Sequence, residues 1–125
     1  MIKFVLFIVL CLSLIRISFA ETITIICSYE TYAASDGIHK VKDDFILTFI
    51  VDTENEKSYM LGNAGTEEIL LVGSFDDWLS FIEITDTGNV MTTAIDSNKV
   101  SVHSRNTIMF NELIPSQYYG SCIFK

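Results

Sequence analysis

The chain has 125 residues, with 16 acidic against 8 basic side chains and a formal net charge of −8. An acidic balance of this size repels nucleic acid and anionic lipid, and it favours a basic protein or a cation as partner. The length suits one domain with a modest core.

Residues 1–20 read as a signal peptide. Lys3 supplies a positive start, and Phe4 to Ile15 is an apolar run of 12 residues broken only by Ser13. Ser18 and Ala20 place small residues three and one positions before a cut that would leave Glu21 first. A spanning helix needs about 20 apolar residues, and Arg16 interrupts this run too early. The expected product is therefore one exported domain, 21–125, with no membrane span and a periplasmic or extracellular location. Processing removes Lys3 and Arg16, so the balance becomes 6 − 16 = −10.

From residue 22 onward the period is two, the mark of strands. Thr22 to Glu30 places Ile23, Ile25, Cys27 and Tyr29 on one face. "AASDGIHKVKDD" reads as a polar connection with a turn at Asp36–Gly37. Asp44 to Asp52 puts Phe45, Leu47, Phe49 and Val51 on one face. "DTENE" ends that strand as a solvated acidic turn, because it lacks the glycine and distal glutamate of a calcium loop. Lys57 to Leu61 is a short return strand, and "EEILLV" is the next. Trp78 to Thr85 and Val90 to Asp96 form the strongest hairpin, around "DTGN", whose residues tolerate the dihedrals of a tight turn. Val100 to Arg105 follows, and Gln117 to Phe124 is the last strand. A short helix near 75–79 or 110–114 is also compatible with the sequence.

About eight short strands joined by short turns give an all-β domain, an antiparallel up-and-down barrel or a sandwich. Closure of a barrel would bring the first and last strands together. The two cysteines of the exported part, Cys27 and Cys122, lie in those strands, and an oxidising compartment makes a disulfide the first reading. Such a bridge closes nearly the whole domain and is worth about 4–5 kcal/mol in the chain-entropy estimate.

A catalytic constellation is hard to assemble, and the expectation is a protein without enzymatic activity or cofactor. His103 and Ser104 are strand neighbours and point to opposite faces, so they cannot act as base and nucleophile. His39 and His103 lack the spacing of a zinc site. The candidate binding residues are Arg105, His103, Tyr118, Tyr119 and Trp78. Arg105 is the only arginine after processing; it pairs with a rim carboxylate or contacts a ligand. Most aromatics must fill the core of so small a domain. A ligand pocket inside the barrel is the alternative to an interior packed by its own side chains.

The run "ITIICSYETY … FIEITDTGNVMTTAID … VHSRN … IPSQYYGSCIFK" resembles a group of small exported bacterial proteins of unknown function. It is also faintly similar to the membrane-bound C-type lysozyme inhibitors, small periplasmic β-barrels with a cysteine in the first strand and another near the C-terminus. That resemblance implies the barrel and the pairing of Cys27 with Cys122. The Ser/Gly-rich and Lys-Gly motifs that enter the lysozyme cleft are missing here, where "GNAGTEE" and "VHSRN" stand, so no inhibitory residue is carried over. The function expected is an exported non-catalytic binding or interaction module for an unknown protein or small ligand. The alternatives are a lipocalin-like small-ligand carrier or a lysozyme-inhibitor-like protein.

Overall fold

A computed structural model describes residues 21–62 and 65–125; the signal-peptide reading of residues 1–20 lies outside them. Eight strands follow in chain order: β1 Thr22–Ala34, β2 Gly37–Asp52, β3 Lys57–Gly62, β4 Gly65–Ser74, β5 Trp78–Ile84, β6 Val90–Ile95, β7 Val100–Met109 and β8 Glu112–Phe124. Each pairs antiparallel with the next, and β1 pairs with β8, so the sheet closes into an up-and-down barrel. The choice between barrel and sandwich is thus a barrel, without helix among the described residues. Segments 75–79 and 110–114 are turn and strand. None of the described residues forms a helix long and apolar enough to cross a membrane.

The alternation read from the sequence sets the interior. Ile25 and Cys27 of β1, Phe49 and Val51 of β2, Leu79 and Phe81 of β5, and Ile95 of β6 are buried together. They pack the end of the barrel at which β1 begins. Phe49 and Phe81 stack there face to face, with ring centroids 4.3 Å apart and planes 9° from parallel. Such a ring pair adds to the area it buries.

Cys27 and Cys122 are direct partners in the β1–β8 register and are joined by a disulfide. The Cys122 N–H turns away from β1 and donates to the Lys99 carbonyl at 2.9 Å. That marks the cysteines as a non-hydrogen-bonded pair, the position where two strands come closest; their Cα atoms are 4.0 Å apart. Two residues from Cys122 lies Gly120, opposite Tyr29 at a bulge in β1. A Cβ on Gly120 would sit 1.9 Å from the Ser28 carbonyl oxygen, so only glycine lets the strands close here.

Two strand pairs run longer than their sequence pattern indicates. Half of the polar connection at 33–44 is ladder, because past an irregularity at Val41–Asp44 β1 and β2 pair again from Thr31↔Lys40 to Ala34↔Gly37, around a two-residue turn. Likewise β7 and β8 continue to Met109↔Glu112. Their neighbours stop earlier: β6 reaches Arg105 through Met91, and β1 reaches Ser116 through Ala34. Asn106–Pro115 is therefore a two-stranded arm standing beyond the barrel wall. Pro115 is tolerated because its missing N–H falls on a free edge.

Candidate functional site: a cup and an arm at the open end

The packed core ends at a belt of buried polar groups. The Tyr29 hydroxyl and Ser101 Oγ are 2.9 Å apart, and Thr93 Oγ1 lies 2.7 Å from His103 Nδ1. Burial pushes the Tyr29 phenol up to about 12 against the hydrogen bonds that oppose it. Burial, helped by the nearby Arg105 charge, pulls His103 down to about 4, so its ring is neutral near pH 7. No acidic residue bonds His103; its Nδ1 is taken by a threonine.

Beyond the belt the barrel is hollow. A cavity of about 280 Å³ opens toward the β5–β6 turn, walled by Phe45, Leu47, Met60 and Met91. Glu83 and Arg105 also line it. The three inward residues Glu83, Met91 and Arg105 form a row across β5, β6 and β7, since Met91 is the register partner of both others. Burial raises the Glu83 carboxyl, Glu67 raises it further, and Arg105 works against both.

Arg105 sits 5.2 Å from the Phe45 ring and 5.7 Å from the Tyr118 ring, in cation–π range. Among the described residues the ion pairs are His39–Asp36 and Lys57–Glu68; Arg105 is in neither. Its Nε and the Glu83 Oε2 are buried without a hydrogen-bond partner. On one side the cup wall has parted. The β4–β5 ladder begins only at Leu70↔Ile82, so Glu67 and Glu83 lie on strand segments not paired with each other.

Of the five candidate binding residues, the structure brings together Arg105, His103 and Tyr118. The His103 and Tyr118 rings lie 6.2 Å apart, and both approach Phe45. Tyr119 faces outward and donates from its hydroxyl to Gln117 Oε1 at 2.8 Å. Trp78 is 52% exposed, outside the barrel at the opposite end. His39 lies on the β1–β2 extension, where it bonds Asp36 at 2.7 Å and stacks on Tyr32, which stacks on Tyr118. That bond holds the Asp36 carboxyl below its usual value. The acidic turn after β2 is self-contained: Asp52 accepts from the Glu54 and Asn55 N–H groups. No group of three or more His, Cys, Asp or Glu among the described residues is arranged to hold a metal ion.

Sequence reasoning missed Glu83 and the arm. Glu83 had a signal: Leu79, Phe81 and Glu83 alternate on one face, which puts a carboxylate on the apolar side of β5. The arm tip is the turn Phe110–Asn111, with φ of 50° and 63°. Two consecutive positive φ values are the type I′ geometry that suits a tight hairpin. Asn tolerates this region and Phe does not. Phe110 is nonetheless there, 94% exposed. Ile108 and Leu113, a cross-strand pair on the arm's outer face, are 63% and 64% exposed. Asn89 Oδ1 accepts from the Ile108 N–H at 3.2 Å and ties the arm to the β5–β6 turn.

The molecule is thus a small disulfide-closed antiparallel barrel with one packed end and one cupped end. No protein-family model, no curated protein and no solved structure matches this chain.

Proposed function

We propose that the protein is an exported, non-catalytic interaction module that engages a protein partner through the β7–β8 arm. The observation that carries this reading is Phe110, a large apolar side chain held in solvent on a left-handed backbone. A left-handed conformation costs a residue with a Cβ about 1–2 kcal/mol, and such strain is retained where it serves a site. Ile108 and Leu113 on one face of the arm and Met109 and Ile114 on the other are exposed as well. Large exposed apolar side chains gathered on both faces of one small arm mark an interaction surface.

The partner is a protein rather than a bilayer. The β8 edge of the arm runs on past its last β1 partner at Ser116, and the β7 edge past Arg105 is met by a side chain, Asn89 at the Ile108 N–H, rather than by a strand. Hydrocarbon cannot satisfy such edges and a neighbouring strand can. The acidic chain is also repelled by anionic lipid. Export is supported by the disulfide and by the character of residues 1–20. A non-catalytic role is supported by His103, whose Nδ1 bonds a threonine instead of a carboxylate. The lysozyme-inhibitor resemblance names one candidate partner, although the arm carries neither inhibitor motif.

Photo-crosslinking tests the reading. Benzoylphenylalanine is placed at position 110 of the full chain produced in its own host, with Ile38, another exposed apolar residue, as control. The expected result is a protein adduct of discrete mass at 110 and none at 38. No adduct at 110, or equal adducts at both positions, overturns the proposal.

A further inference from the structure

The arm leaves the cup unexplained, and the cup holds an acid and a base that do not meet. Glu83 and Arg105 point inward from strands separated only by β6, with Met91 between them in register. Two strand spacings put their backbones about 10 Å apart. Each has a buried polar atom without a partner. Both side chains line the cavity, and neither is in an ion pair among the described residues. A charged group left unpaired in a partly buried site is costly, so an acid and a base that line one cavity without meeting point to a third party that pairs with both.

The chemistry of the walls narrows the candidates. A bare anion would meet Arg105 but also the carboxylates of Glu67 and Glu83. A lone divalent cation lacks the donor set, since no three metal-ligating side chains converge among the described residues. A hydrocarbon would leave the guanidinium and the carboxylate desolvated and unpaired. A molecule carrying both charges fits: its carboxylate takes the Arg105 N–H groups, and its ammonium donates to Glu83 with Glu67 beyond. The apolar part lies against Met60, Met91 and Phe45; methionine adapts to irregular aliphatic shapes. The cavity of about 280 Å³ limits the ligand to a small molecule, just under the roughly 300–1,000 Å³ of drug-sized sites. The parted segments of β4 and β5 open that side of the wall.

We infer that the cup binds a small aliphatic zwitterion, held by its carboxylate on Arg105 and by its ammonium on Glu83. This goes beyond the docking role of the arm and stands without it.

The test is an NMR titration of methyl-labelled, oxidised protein, with Met60 and Met91 as reporters inside the cup and Met109 on the arm as control. The probes are norleucine and 6-aminohexanoate as zwitterions, and hexanoate and hexylamine as singly charged counterparts. At least one zwitterion should shift the Met60 and Met91 methyls, leave Met109 in place, and saturate with a Kd of about 1 mM or tighter. Loss of one charge-assisted contact should weaken binding at least about tenfold. Hexanoate, hexylamine, Glu83→Gln and Arg105→Met should all show that loss. Glu83→Gln preserves shape and carries the test if Arg105→Met does not fold. Absence of cup shifts with either zwitterion, equal binding of the singly charged probes, or unchanged binding by folded Glu83→Gln overturns the inference. The arm reading is untouched by any of these, because its crosslink is read at position 110.

Discussion

At the end where β1 begins, Phe49 lies flat on Phe81 and a disulfide ties the first strand to the last. At the other end the same strands surround a cavity, leave Arg105 Nε and Glu83 Oε2 without a hydrogen-bond partner, and extend an apolar arm into solvent. The difference is one of satisfaction. Each inward group at the packed end has van der Waals neighbours or a covalent link, whereas at the open end Arg105 Nε and Glu83 Oε2 have no hydrogen-bond partner within the chain and Phe110 stands in solvent. Stability is concentrated at one end of the barrel, and the other is free to hold features that cost stability, as interaction sites do.

The strongest way to break this contrast is to remove the covalent link. Cys27→Ser combined with Cys122→Ser releases a loop spanning a sequence separation of 95, and the expected loss is about 4–5 kcal/mol, read from urea unfolding. A loss below about 1 kcal/mol would mean that the closed end does not depend on the bridge.

Phe81→Ala should cost about 3–5 kcal/mol in the same assay, because it deletes half of a buried ring stack and leaves a cavity in its place. A mild effect would show the two ends to be equally loose.

Acid should act through the belt between the two ends. His103 is 2% exposed and titrates at about 4, well below its ordinary value of 6.5. Between those values the unfolded chain binds a proton that the folded one refuses. This contribution to stability is therefore present above pH 6.5 and is lost as pH falls toward 4, by about 3 kcal/mol in all. His103→Asn should flatten that limb of the stability–pH curve; an unchanged slope would take the histidine out of the account.

The smallest expected effect has the opposite sign. Phe110→Asn puts a residue that tolerates the left-handed region into the type I′ turn and should raise stability by up to about 1 kcal/mol. If it destabilises instead, the arm tip belongs to the core's cooperative unit and the contrast between the ends weakens.

Some of these features were already visible as pattern. Inward alternation in "ITIICSY", "FILTFIV" and "WLSFIEI" identifies strands and their buried faces, since a period of two needs no tertiary information. The opposed faces of His103 and Ser104 hold: one bonds Thr93 within, while the other accepts from Gln117 Nε2 outside. Which face of β7 turns inward was not legible, because Val100 is exposed while Ser101 and His103 are buried, the reverse of what apolar alternation suggests. The arm was not legible. "NTIMFNELIPS" mixes apolar and polar residues and contains a proline, and nothing local shows that β6 and β1 stop short of it.

By itself, then, the amino-acid sequence determined a count of about eight strands, the buried faces of β1 and β2, and a cysteine in each terminal strand, because side-chain alternation and covalent valence are local properties; the polar inward face of β7 was not among them. Barrel closure, the parted β4–β5 ladder, the cup and the free arm were decided only in three dimensions. Each depends on where one strand's hydrogen-bonding partner ends relative to another's, and that is a relation between segments distant in sequence.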